Sequence, residues 1–306
     1  MDAYEYILAK QIQWALNHGI PLIGSKGNRG RPAYTEELED NLFQHLMPEV
    51  EKCFKDGDGS ELTGNPSKMQ AVHSSSALGV NIFQYWKNIN QVSEIAYACG
   101  FCRKTTKRSK DIIFEGKYQI DKKFQYSPNI DVVIKNDLAS RHAVFAIECK
   151  FTEAYSNREH SCLKEKYLEL DIWKDLPKLK NFAVSISPED NRFHHLHPAQ
   201  LIKHVLALKK SFGRTGFRLL YLWYDAFGYE GAKHREEISE FIEVTKSDNI
   251  YFHALSYQEL IVKLAYNLFR KDVPPTFLDN LRGAFPLSIN RSCRFPSKYP
   301  LSPSLH

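Results

Sequence analysis

The stretch PNIDVVIKNDLASRHAVFAIECKF, residues 128–151, decides the fold. Two short runs rich in Ile, Val and Phe flank the polar turn NDLASR, the pattern of an antiparallel hairpin. Centring the turn between Ala139 and Ser140 sets Ile130, Val132 and Ile134 opposite Cys149, Ile147 and Phe145 on one apolar face. Asp131 then faces Glu148 on the other side, with Cβ atoms about 4.5–5.5 Å apart. Lys150, two residues past Glu148, shares that side. A slip of one residue would turn the apolar set outward, so the pattern itself specifies the register.

Working outward, apolar spacing predicts a helix over residues 4–17 and a second over 36–54. A third runs through Leu78, Ile82, Phe83 and Trp86, with N-caps on offer at Ser74 to Ser76. A β-type segment at 111–120 precedes the hairpin. Beyond it come helices at 162–170 and 198–210, a buried strand at 217–223, a helix at 236–245, a strand at 250–255 and a helix at 257–269. Three strands in succession, then strand–helix alternation, predict an α/β fold with a mixed central sheet flanked by helices. The polar run KDGDGSELTGNPS, residues 55–67, marks a boundary. It separates a helical N-terminal extension (1–67) from an α/β core (68–270). A Pro-rich tail (271–306) follows, expected to be poorly ordered from Asn290 onward.

Composition narrows the class. Against 36 acidic residues stand 41 Lys and Arg, a net +5 that is compatible with a polyanionic partner but far too small to prove one. Six cysteines in 306 residues are too sparse for a disulfide scaffold and read as reduced thiols. No apolar run is long enough to span a bilayer, and the first residues lack a secretory pattern, so a cytoplasmic protein is expected.

Facing carboxylates repel, and a shared proton, an adjacent cation or a divalent metal can make the pair tolerable. Two hard carboxylates beside a lysine are what metal-assisted phosphodiester hydrolysis requires. At this point the residues resemble a known family. Asp131 followed by Glu148-Cys149-Lys150 on the next strand is similar to the PD-(D/E)XK nuclease superfamily, whose restriction-endonuclease-like fold has the same helix–three strands–helix–strand order. The likeness covers residues 74–225, and Pro128 departs from the pattern by lying three residues before the Asp. The resemblance implies Asp131 and Glu148 as ligands of Mg²⁺, together with the Cys149 carbonyl, and Lys150 as the group that assists the attacking water. It also implies one more acidic residue, for which Glu115 is the first candidate and Glu94 the second, and a functional Gln200 one turn before His204. The implied activity is a Mg²⁺-dependent DNA endonuclease of restriction, repair or recombination type. RNA in place of DNA stays open, as does a homodimer, because cutting both strands usually takes two sites. The alternative is a binding module of the same fold with its chemistry idle.

Other features carry less. The run RKTTKRSK supplies Arg103, Lys104, Lys107, Arg108 and Lys110 as candidate phosphate contacts beside the first core strand, with Lys122 and Lys123 extending the patch. Asn28, Arg29 and Arg31 form a second basic element. Cys99 and Cys102 invite a zinc or redox reading, but no second C-x-x-C exists and the motif ends a helical pattern instead of opening one. His194, His195 and His197 read as a polar loop before a helix started by Pro198.

Overall fold

The computed structural model describes residues 1–23, 33–156, 162–189 and 192–268. Asn28, Arg29, Arg31 and the tail lie outside them. The chain opens with α1 (Ala3–Asn17), closed at its start by a capping box between Asp2 and Glu5. A small ladder pairs β1 (Leu22–Ile23) with β2 (Tyr34–Thr35). The helix expected over 36–54 is interrupted. A 3₁₀ turn covers Glu39–Asn41, and α2 (Pro48–Asp56) starts at Pro48. Proline cannot continue a helix from the preceding turn but fits its first position, so the apolar spacing was read across a break. α3 (Ser75–Asn88) starts where the serines indicate, with the Ser74 side chain accepting from the Ala77 N–H, and α4 (Val92–Ala98) follows.

A five-stranded mixed sheet forms the middle layer, and its strands pair in chain order. β4 (Asn129–Asn136) runs antiparallel to both its neighbours, β3 (Ser109–Lys117) and β5 (Val144–Lys150). β6 (Phe217–Trp223) and β7 (Phe252–Ser256) then run parallel to β5. The link from β5 to β6 carries α5 (Glu165–Leu168), α6 (Pro177–Ser185) and α7 (Pro198–Phe212). α5 is one turn where a helix over 162–170 is expected, and α6 lies where the sequence pattern predicts no helix. Gly213, at φ +73°, stops α7. α8 (Gly228–Ser247), two turns longer at its start than expected, joins β6 to β7, and α9 (Tyr257–Leu268) ends the described chain.

Two apolar cores sandwich the sheet. One holds Phe114, Val132, Ile134, Phe145, Ile147 and Cys149 against α1, α2, α3, α4 and α9. The other holds Val133, Val144, Ala146, Leu219 and Tyr221 against α6, α7 and α8. β5 is third of five strands and covered on both faces, which explains its almost unbroken apolar run. Ile130 departs from the expected alternation: it packs with Val133 and Ala146 instead of Val132 and Ile134. The regular ladder to β5 ends at the Val132–Ile147 pair, so alternation no longer governs where Ile130 points.

Buried Glu237 of α8 ties this second layer together. Its carboxylate accepts the backbone N–H groups of His194, His195 and Leu196 at 2.9, 2.9 and 2.8 Å, fixing the loop that enters α7. Glu237→Ala strands three donors and should cost about 3 kcal/mol, whereas Glu237→Gln keeps an acceptor and should cost about 1. Urea unfolding midpoints of the two variants check this; equal, small losses would show that the carboxylate does not hold the loop.

Candidate active site

The β4–β5 ladder pairs Val132 with Ile147, Val133 with Ala146 and Ile134 with Phe145, the register read from the sequence. One step beyond the last pair lie Asp131 and Glu148. The Cys149 N–H donates to Asp131 Oδ2 at 2.7 Å. The β3–β4 ladder pairs Phe114 with Val132 and Gly116 with Ile130, so Glu115 falls across from Asp131. Three acidic positions thus form a row over three neighbouring strands, at the sheet edge where β5 ends.

Glu148 is buried, 1% exposed, and both its oxygens meet positive or donor groups. Lys150 Nζ lies 2.7 Å from Oε1, and His204 Nε2, from the second turn of α7, donates to Oε2 at 2.8 Å. Burial opposes ionisation of Glu148, but Lys150 and His204 outweigh it and hold the carboxyl below its usual range. Asp131 goes the other way, raised well above an ordinary aspartate by burial and by the Glu148 charge. Lys150 stays protonated, since Glu148 and Asp131 overcome the cost of its burial. Facing carboxylates whose environments push their proton affinities apart divide the work between a charged and a proton-holding group.

Glu115 has φ +51°, a left-handed conformation that strains a non-glycine residue. Its carboxylate accepts from Asn129 Nδ2 at 3.0 Å and lies close to Gly57, so Glu148 acts on it through its field. Burial, with Glu61 and Glu148 adding to it despite the Asn129 bond, lifts its pKa to about 7. Glu153, three residues past Lys150, accepts from the Phe151 N–H at 3.0 Å and from the Ser75 hydroxyl at the start of α3.

The remaining candidates divide by position. Gln200 lies on α7 one turn before His204, at the site's end of that helix. Glu94 pairs with Lys107 at 2.6 Å and Arg108 with Asp137 at 3.4 Å, both where β3 begins. Ser109 there pairs with Asn136, the far end of β4 from Asp131. Arg103, Lys104, Lys107, Arg108 and Lys110 are therefore beside the first core strand, as expected, but at its end remote from the carboxylates. Cys99 caps α4, and its carbonyl meets His253 Nε2 at 2.9 Å. His195 Nδ1 meets the Ala154 carbonyl at 2.9 Å, and His197 precedes the first residue of α7. The sequence placed His204 on a face with Gln200 but gave no reason to link it to Glu148; the i, i+4 spacing was the available signal.

Among the described residues no group of three His, Cys, Asp or Glu side chains is arranged to hold a metal. A cation here would rest on Asp131 and Glu148 alone among side chains, a sparse set that suits Mg²⁺, which keeps several waters. The chemistry fits: Glu148 Oε1 is a buried acceptor that faces an ammonium without an aligned hydrogen bond, and Asp131 offers a second carboxylate one step beyond the same ladder.

A family model described as REase-ARP, Restriction Endonuclease associating with ARP, matches residues 8–273 of the chain. No curated protein and no solved structure matches it.

In metal-free protein, Glu115 titrates near 7 when folded and near 4.5 when unfolded. Between these values the folded state holds the extra proton, so stability falls as pH rises through that window and levels off above it. Glu115→Gln should abolish that part of the decline and gain about 1–2 kcal/mol at pH 8, a modest figure because the group is only half-buried. Urea unfolding at pH 5 and pH 8 in EDTA tests it, and an unchanged pH dependence in the variant counts against it.

Proposed function

This chain belongs to the REase-ARP family of restriction endonucleases, and from that premise we propose that it hydrolyses DNA phosphodiester bonds in a Mg²⁺-dependent reaction. The observation that carries the reading is the Asp131–Glu148 pair at the end of the β4–β5 ladder, with Lys150 Nζ 2.7 Å from Glu148. Asp131 and Glu148, with the Cys149 carbonyl, would hold the ion. Bound there, Mg²⁺ supplies Lewis-acid polarisation of the phosphate and a lowered pKa for water.

The protein's own groups do the rest. His204 fixes one oxygen of Glu148, so that the other keeps a defined direction. Lys150 pairs with Glu148, and beside a cation held by the carboxylates its ammonium would be available to water or the phosphate. Asp131, raised by burial and by the Glu148 charge, would serve as a ligand in its carboxylate form. Among the described residues no helix is long and apolar enough to cross a membrane, and a cytoplasmic enzyme acting as a homodimer on both strands is part of the same reading.

Cleavage of plasmid DNA should require Mg²⁺, stop in EDTA, and slow on the order of 10²–10³-fold in Glu148→Gln and in Lys150→Ala. Cutting that survives in either variant would remove the site from the reaction. A Mg²⁺ isotherm lost in Glu148→Gln separates an enzyme lacking its preferred sequence from an idle binding module, which should bind no Mg²⁺ here. His204→Leu should weaken Mg²⁺ affinity about 10–100-fold while His204→Gln, which retains a donor, recovers much of it. Equal affinities in the two variants would mean that His204 only fills space.

A further inference from the structure

Several lysines of this molecule have carboxylate partners. Lys209, near the far end of α7, pairs with Asp175, and Lys117 lies 3.0 Å from Asp58. On the same α7, the charged neighbours of half-buried Lys203 are instead two more lysines, Lys164 and Lys166. All three belong to the layer that covers the site face of the sheet.

Two aromatic rings hold Lys166 and Lys203 in place. Phe124, from the loop entering β4, packs on Tyr167 of α5 with ring centroids 4.5 Å apart. Lys166 Nζ sits 4.7 Å from the Phe124 centroid and 5.6 Å from that of Tyr167, and Lys203 Nζ sits 5.4 Å from Tyr167. Each such contact is worth about 0.5–1 kcal/mol, enough to seat an ammonium but too little to neutralise it. Glu165 and Glu169 lie on the same segment, and neither forms an ion pair with the three lysines among the described residues. Lys122 and Lys123 are exposed on the loop that carries Phe124.

Position gives the cluster its meaning. Lys203 immediately precedes His204, which holds Glu148, and the Phe124 loop leads directly into Asn129 and Asp131. The cations therefore flank the carboxylate site, unlike the run from Arg103 to Lys110 at the other end of β3. A group of like charges that forms no ion pair with a carboxylate among the described residues suits an anion from outside. Three ammonium groups brought together favour one with repeated charges, as along a phosphate backbone.

We propose that Lys166 and Lys203, seated on Phe124 and Tyr167, together with neighbouring Lys164 grip the sugar–phosphate backbone of the DNA whose scissile phosphate is presented to Asp131, Glu148 and Lys150. The assignment rests on the nuclease reading and adds the path of the substrate: over α5 and α7, not across the loop between α4 and β3.

The test uses full-length protein carrying Glu148→Gln, a labelled 30-base-pair duplex and EDTA, with affinity measured at several salt concentrations. Adding Lys164→Gln, Lys166→Gln and Lys203→Gln should weaken binding about 10–100-fold. It should also flatten the slope of log K against log salt by roughly 2–3, one phosphate contact per lysine. The three Lys→Arg exchanges should restore both. If the triple Gln variant does not fold, the exposed pair Lys164→Gln and Lys166→Gln should still flatten the slope by about 2. Unchanged affinity and slope, with the loss appearing instead for Arg103→Gln, Lys104→Gln and Lys110→Gln, overturns the assignment while leaving the nuclease reading intact. Failure of the parent protein to bind any DNA overturns both.

Discussion

Two carboxylates held face to face are the constraint around which this molecule is arranged. They are brought together by their neighbours: Val132, Ile134, Phe145 and Ile147 can reach the core only in the register that sets Asp131 against Glu148. Burying four such side chains is worth roughly 6–12 kcal/mol. Two charges 4 Å apart in a medium of intermediate polarity repel by about 4 kcal/mol. Hydrophobic burial wins, and the repulsion is left for local chemistry to absorb.

The molecule absorbs it unevenly. Glu148 receives an ammonium and an imidazole, while Asp131 receives one backbone N–H. One carboxyl is therefore kept charged and the other is pushed toward its acid form. This asymmetry follows from topology. The change from antiparallel to parallel pairing at β5 forces a long crossover before β6, and that crossover lays α7 over the face from which Glu148 projects. β3 and β4 are joined by a loop alone, so no equivalent helix serves Asp131.

Much of this was legible in the residues because strong local patterns decided it. The alternation in residues 132–134 and 145–149 specified the register, Ser74 announced α3, and the apolar run at 217–223 marked β6. The misreadings share a cause, which is that spacing alone does not register interruptions. Pro48 resets a helix that periodicity carries through, and α6 is too short for its few apolar positions, Leu179, Phe182 and Ala183, to stand out. Glu115 was recognised as an acidic candidate, but its left-handed backbone was invisible, because nothing in FEGKYQI announces it. The basic run 103–110 was correctly placed beside the first core strand. Which end of that strand it occupies depends on strand direction relative to the site, and that is a tertiary fact. The lysines of α5 and α7 escaped notice for the same reason: Lys164, Lys166 and Lys203 are scattered in sequence and meet only in the folded layer.

The three hydrogen bonds from Glu237 to the loop before α7 have a dynamic consequence. They weld the start of α7 to α8, so His204 cannot drift from Glu148 unless α8 moves as well. A helix entered by a long connecting loop would ordinarily fray from its first turn, yet this one is anchored at the end nearest the chemistry. The amides of His194, His195 and Leu196, although they belong to a loop, should open to solvent only together with the α7–α8 layer. Rigidity is thus placed at the entrance of α7, and the carboxylates of the sheet edge inherit it.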